Sequence, residues 1–256
     1  MNKRIFLFVA AIVLLIGMLF LTFLPFQITD EYFPEGYEER FPDFVEAVKN
    51  MDSTFTYDIE RGSPKEVVSE VWLLHPEILW LDNYVTFRQV GNQYELKLRY
   101  ISSRMGARLK QFRLEWAVDS IANKAMQEPT EMDTLRYIHD AIVEKTDYTK
   151  FTPQSSTSYG CLIQKLALCQ GYTNAFTMIA RRCGIECGPV ENPDHVWNYV
   201  IFDGKEYMVD VTWDAPLYGT DNAYKYFMIT PEEMRKDHHI SKDYYQLYSK
   251  KSKANK

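Results

Sequence analysis

The sequence has no cysteine pair at C-x-x-C spacing; its four cysteines are Cys161, Cys169, Cys183 and Cys187. That argues against a structural zinc site, whose ligands come in such close pairs. There is no surplus of positive charge either. Twenty-nine Lys and Arg stand against 35 Asp and Glu, a formal net charge of −6, which argues against nucleic acid as a partner. The single basic cluster, KKSKANK at 250–256, reads as a solvated terminus. Internal repeats and low-complexity stretches are absent. What is left is ordinary globular composition, 46% hydrophobic and 25% charged, with enough chain for one domain and a sizeable core.

Charge is missing altogether from Ile5 to Leu24, the run IFLFVAAIVLLIGMLFLTFL. Twenty helical residues at about 1.5 Å each span about 30 Å, the thickness of a bilayer core. A cleaved secretory leader is the alternative. Its apolar part is shorter, about 7–15 residues, and ends at a small-residue site. TFLPFQITDEYF offers no such site, and no cysteine stands close behind the run to take a lipid. The expectation is an uncleaved transmembrane anchor over 5–24. Lys3 and Arg4 precede it and Asp30, Glu31, Glu35, Glu38 and Glu39 follow, so the stub 1–4 is cytoplasmic and the rest extracytoplasmic. A disulfide is permitted there but not required. Cys183 and Cys187 fit either a bridge or two small buried thiols.

After an acidic, aromatic linker (25–40), a short helix is expected from Phe41 to about Lys49 and a strand in TFTYDIERG at 54–62. A helix follows over 63–80, ending at Pro76. YVTFRQV and YELKLRYIS flank Gly91-Asn92 and read as a β-hairpin. A long helix covers about Arg104 to Met126. Thr130, with Asp133 three residues on, caps the next one. Its apolar face is Leu135, Ile138 and Ile142, and it ends near Thr146. A polar loop, TDYTKFTPQSSTSYG, leads to Cys161.

Leu168, Tyr172, Ala175, Phe176, Ile179 and Cys183 recur at helical spacing. Arg181 and Arg182 suit the last turn of that helix and Gly184 its C′ position. Cys169 therefore stands at a helix start, where first-turn amides and the positive dipole end stabilise a thiolate. Gly171 would leave room for a substrate backbone. Further on, Asp203-Gly204 is a two-residue hairpin turn. It sets Phe202 opposite Lys205, Val200 opposite Tyr207, Asn198 opposite Val209 and Val196 opposite Val211, a mostly apolar face. On the other face Trp197 meets Asp210 and His195 meets Thr212. His195 and Asp210 become diagonal neighbours about 7–8 Å apart at Cα. A thiol, a base to take its proton and a carboxylate to hold the base in one tautomer are the parts of an activated cysteine, and such chemistry needs no cofactor.

The residues that carry this chemistry, ALCQGYTNAF, RRCGIECGPV, HVWNYVIFDGKEYMVDVTWDAP and YFMITPEEM, resemble the catalytic core of the transglutaminase-like superfamily. The likeness is specific over about 130–235. HPEILWLDNY and TLRYIHDAIVEKTDYT are similar, more loosely, to the amino-terminal part of bacterial members. The resemblance implies an α+β, papain-like fold, a nucleophile helix packed on an antiparallel sheet. It also implies a triad of Cys169 as nucleophile, His195 as general base and acid, and Asp210 as orienting carboxylate. Papain itself fits poorly, because its histidine lies well over a hundred residues after its cysteine.

The implied organisation is an amino-terminal extension over 41–128, a catalytic core over 129–240 and a tail over 241–256. The implied activity is acyl transfer or hydrolysis on protein or peptide amides through a Cys169 thioester. The rival is a binding or scaffolding domain that keeps the fold without turnover. The run QKLAL before Cys169 departs from the family's glycine and small or basic residue, and Val196 replaces the usual alanine. The backbone amide of Cys169 is one expected oxyanion donor; Gln164 and Tyr159 are candidates for the second. His75, His139, His238 and His239 lack metal-ligand spacing and read as structural. Trp197 and Trp213, beside the triad positions, suit either groove walls or core.

Overall fold

The computed structural model describes residues 3–23, 39–82, 84–149, 152–216 and 223–240. Most of the expected linker and the whole tail after 240 lie outside them. Two glycine turns build the two main sheets. Gly91, at φ +60°, joins β2 (Thr86–Val90) to β3 (Gln93–Lys97), and β1 (Thr54–Asp58) pairs with the other side of β3. Asp203 and Gly204, both at positive φ (50° and 68°), join β7 (Val196–Phe202) to β8 (Lys205–Val209). Two successive positive-φ residues give the turn whose twist matches antiparallel strands. β6 (Cys187–Glu191) completes this second, antiparallel sheet in the order β6-β7-β8. Its register is the expected one for Phe202–Lys205, Val200–Tyr207 and Asn198–Val209.

The ladder then stops. The expected pairs Val196–Val211, Trp197–Asp210 and His195–Thr212 do not form, because β8 ends at Val209. Asp210 turns the chain instead. Its side chain accepts from the Thr212 and Trp213 amides and caps a one-turn helix, α1 to α6 preceding it, that spans Val211–Asp214 (α7). Nor is the Trp197 face solvated. The segment 223–240 lies over it, with Ile229 bridged to Met208 and the Asp210 amide bonded to the Tyr226 carbonyl at 2.9 Å. Trp197, Tyr199, Met208 and Tyr226 form a buried cluster there.

The helices follow the caps. α2 is Pro42–Asn50; α3 is Pro64–Leu74, opened by a Ser63–Glu66 capping box; α4 is Arg104–Ala125; and α5 is Glu131–Val143, with Thr130 as N-cap. Cys169–Arg182 form α6, and Gly184 follows it at φ +79°. α6 is the central helix. Gly171 to Ala180 are all buried, and α6 packs against α4 and α5 as well as β6 and β7. The main core runs without a break from Phe41 to Phe227 and takes in the residues before and after 129 alike. All four cysteines are free thiols, and burial pushes Cys161, Cys183 and Cys187 up to about 12, 11 and 11.

The polar loop before Cys161 is not a surface loop. Gln154, Ser155, Ser156, Thr157 and Ser158 are buried. Their hydroxyls find carbonyls instead of water: Ser155 Oγ donates to Thr152 O, Thr157 Oγ1 to Gln154 O and Ser158 Oγ to Pro76 O, at 2.8, 2.8 and 2.7 Å. The loop is flanked by β4 (Asp147–Tyr148) and β5 (Leu166–Ala167), which pair in parallel. It also explains Gly171. A Cβ there would lie 2.6 Å from Ser155 O, so the glycine admits the buried loop against α6 and not a substrate.

α1 is helical over Lys3–Phe23, and Phe6, Leu7, Phe8, Val13, Leu15 and Ile16 are exposed on it. Among the described residues, no helix is long and apolar enough to cross a membrane. The anchor is therefore a matter of proposal, below.

Gly160 tests the buried loop. A Cβ at 160 would fall 2.1 Å from the Gln154 carbonyl oxygen and 2.9 Å from that of Leu166. Both are backbone atoms that cannot swing away. Gly160→Ala is expected to lose about 3 kcal/mol in denaturant unfolding, while Ala at Gly184, whose added carbon meets nothing, costs only the strain of its positive φ.

Candidate active site

Two stitches fix where β7 starts relative to α6. Thr173 Oγ1 donates to the Val196 carbonyl at 3.0 Å, and the fully buried Asn198 amide donates to Thr177 Oγ1 at 2.8 Å and to the Thr173 carbonyl at 3.2 Å. Both tie the second and third turns of α6 to the strand. Just before that strand, Asn192 Oδ1 accepts from the amides of Asp194 and His195 at 2.9 and 2.7 Å, which pins the backbone of His195. The first residue of α6 and the residue ahead of β7 are thus held side by side. These two residues are Cys169 and His195.

His195 bonds Asp210 Oδ2 through Nε2 at 2.6 Å, and Cys169 lies near enough to the ring to raise its affinity for a proton. Its ring lies between Trp197 and Trp213, centroids 5.7 and 5.4 Å away and nearly parallel. Trp197 is buried and Trp213 partly so. Burial alone would lower His195. The Asp210 hydrogen bond, then Cys169, outweigh it and push the imidazole up to about 10. Asp210 itself is fully buried, which opposes its ionisation, yet its carboxyl is held low by hydrogen bonds from His195 and a second histidine, His238. The three residues expected from the sequence are brought together as expected. The route differs: Asp210 reaches His195 as the cap of α7, not as a strand neighbour.

His238 is the residue that the sequence reading passed over. It is buried just after α8 (Pro231–Met234), where its amide bonds the Met234 carbonyl, and its Nε2 lies 2.9 Å from Asp210 Oδ2. No spacing rule could find it, because it reaches the site only through the segment folded over the sheet. Of the other three histidines, His239 is exposed, and His139 and His75 are structural. His139, wholly buried, joins Asp140 (3.0 Å) and Asp214 (3.2 Å) and so braces α7. His75 bridges Glu39 and Glu77 at 2.8 and 3.1 Å.

The ligand atoms of His195, Asp210 and His238 lie within 4.8 Å of one another, a donor set that a metal could use. The spacing within it does not fit one. Ligands about 2.0–2.1 Å from a tetrahedral ion stand more than about 3 Å apart, whereas both histidines are at hydrogen-bond distance from the same oxygen, 2.6 and 2.9 Å. The cluster is a hydrogen-bonded one.

Beside Cys169, a small cavity of about 70 Å³ is lined by Ser69, Trp72, Leu73, Gln170, Glu191 and Val196. Among the described residues, the buried Trp72 Nε1 has no acceptor. Neither sequence candidate for the second oxyanion donor lies here. Tyr159 is buried under Lys110 and Arg113, and Gln164 is exposed. The free donor that the cavity offers is the α3 indole, which the sequence reading gave no role.

Residues 119–210 match the sequence model of the transglutaminase-like superfamily, a span that holds Cys169, His195 and Asp210. This mixed helix–sheet core is transglutaminase-like. No curated protein matches the chain. Among solved structures, the chain is similar to a TGase crystal structure at 13% identity and TM-score 0.36, covering 56% of this chain and 47% of that one. It is similar to the periplasmic domain of TgpA from Pseudomonas aeruginosa, bound to ethylmercury, at 13% identity and TM-score 0.33, covering 55% and 67%. The chain thus spans about half the length of the first of these.

The raised imidazole has a consequence for this transglutaminase-like core. His195 keeps its proton in the folded chain up to about 10, while unfolded it releases it near 6.5. Its stabilising contribution is complete below the unfolded value and is lost as pH rises through the folded one. Thermal stability is expected to fall between about pH 7 and 10. His195→Gln flattens that decline in melts across the range, and only partly, since His75, lifted to about 9 by Glu39 and Glu77 against its burial, contributes with the same sign.

Proposed function

We propose that the protein is a thiol enzyme acting on protein or peptide amides, with Cys169 as nucleophile, His195 as general base and acid, and Asp210 as the carboxylate that orients His195. One observation carries the reading: His195 bonds Asp210 through Nε2 at 2.6 Å, with Cys169 near enough to act on the same imidazole. Proton transfer from the thiol to His195 gives a thiolate at the amino terminus of α6, beside an imidazolium that Asp210 stabilises. The thiolate attacks a carboxamide or peptide carbonyl. As the first residue of α6, Cys169 has an amide with no intrahelical acceptor, available to the oxyanion, and the Trp72 indole is the candidate second donor. His195 protonates the departing amine or ammonia and a thioester is left. Water or an amine then resolves it, which separates a peptidase or amidase from a crosslinking transferase.

Alkylation by iodoacetamide, followed by mass spectrometry from about pH 5 to 9, should label Cys169 well below the range of a free thiol. His195→Ala should return labelling to that range. A Cys169 that reacts no faster than a free thiol identifies a binding domain without turnover. A glutamine peptide with a labelled amine then reports the outcome through amine incorporation, ammonia release alone or chain cleavage, and Cys169→Ala should abolish all three.

The placement proposed is a single-pass anchor with the catalytic region outside the cytoplasm. Its support is the uncharged run from Ile5 to Leu24 and the change of charge across it, together with the 21-residue helix Lys3–Phe23. The membrane-bound product is expected to keep its first 25–30 residues by intact mass. Loss of that segment would establish a cleaved leader in its place.

A further inference from the structure

The carboxylate of Asp210 serves two imidazoles. Oδ1 accepts from the Thr212 and Trp213 amides at 2.9 and 3.1 Å, and Oδ2 accepts from His195 Nε2 at 2.6 Å and His238 Nε2 at 2.9 Å. We propose that His238 is a positioning residue that shares the Asp210 carboxylate with His195 and thereby sets the pH up to which His195 holds its proton beside Cys169. This rests on the thiol-enzyme reading given above.

The tautomer follows from the surroundings. His238 is buried, and its Nδ1 has no hydrogen-bond partner among the described residues. Asp210 Oδ2 can only accept, so Nε2 carries the proton and Nδ1 is bare. A protonated Nδ1 would be a charged donor buried without an acceptor, the costlier alternative. Aromatic rings close the cage: Trp213 at 4.1 Å, Trp197 at 4.9 Å, Tyr226 at 5.1 Å and His195 at 5.6 Å between centroids. The charged groups facing the cage are Asp210, from the start of α7, and Asp237, beside His238 in sequence and bonded by the Tyr226 hydroxyl at 2.8 Å. Asp237 also pairs with Lys225 at 3.3 Å. His238 is thus a neutral N–H donor to the buried anion.

Its effect on His195 has a definite sign. A carboxylate that accepts one more hydrogen bond has less charge to offer a neighbour. With His238 present, Asp210 stabilises the His195 imidazolium less than it would alone. Without it, His195 holds its proton to higher pH. A residue that merely filled the cage would change stability and leave the ionisation where it was.

The test uses the full chain in detergent and follows the His195 titration by nitrogen NMR of histidine-labelled protein, beside the pH profile of Cys169 alkylation. In His238→Phe the ring stays in its cage and the donor is gone. The His195 midpoint is expected to rise by roughly half to one pH unit. His238→Gln, whose amide again offers Asp210 an N–H, should restore the midpoint to near that of the wild type. A midpoint unchanged in His238→Phe, with the wild type reacting at low pH, overturns the role of His238 and leaves the thiol enzyme standing. A wild type that reacts only as a free thiol overturns both. If His238→Phe does not fold, nitrogen NMR of histidine-labelled wild type decides. Neutral His238 protonated at Nε2 supports the proposal, and protonation at Nδ1 with a bare Nε2 refutes it.

Discussion

One buried carboxylate holds this site together. Asp210 is wholly buried and accepts four hydrogen bonds from three parts of the chain: the α7 amides, His195 ahead of β7, and His238 after α8. Each of these donors would be left buried and unpaired without it, at about 1–3 kcal/mol apiece. The same oxygens therefore end β8, start α7, orient the imidazole and fasten the carboxy-terminal segment over the sheet. A carboxylate so well supplied stays ionised despite its burial. Asp214, one turn on, shows the contrast. It accepts from His139 and the Tyr226 amide only, and burial raises its carboxyl in spite of them.

The second constraint is the join between α6 and β7. Thr173 and Asn198 are polar residues on otherwise apolar faces, and the Thr173 hydroxyl and the Asn198 amide nitrogen donate across the joint. Buried polar groups of this kind specify one register, since a slip of either element would strand them. Gly171 lets the buried loop press against the start of the same helix. The position of Cys169 relative to His195 is therefore set by packing on both sides of α6, and the indole rings around His195 keep water from competing for its hydrogen bonds.

Much of this was legible in the sequence because the signals are local. Asp203-Gly204 and Gly91-Asn92 marked both hairpins, the first with its register as far as Val209, Thr130 and Gly184 marked helix ends, and the stripe from Leu168 to Cys183 marked α6. Cys169, His195 and Asp210 were likewise legible as a set. What local signals missed came from contacts between distant segments. Alternation carried the β8 strand through to Thr212, whereas the carboxylate of Asp210 found a better use as a cap. Ser, Thr and Gln at 154–158 looked solvated by composition, yet their hydroxyls are saturated by carbonyls inside the fold. Nothing in the strand that carries Trp197 says that residues 223–240 cover its face. Trp72 and His238 reach the site from α3 and from beyond α8, far outside any motif spacing.

That last point bears on where the candidate site ends. The family match stops at Asp210, with the last residue of the expected triad. The chemistry attributed to Asp210 does not stop there. Its Oδ1 is held by the amides of residues 212 and 213, its own amide by the Tyr226 carbonyl, and its Oδ2 by His238. α7, which carries two of those donors, is braced by His139 from α5 through Asp214. A chain cut after the matched span would keep all three triad residues and lose most of what ionises and aims the third. The functional unit is defined by the hydrogen-bond shell of one carboxylate, and that shell closes at His238.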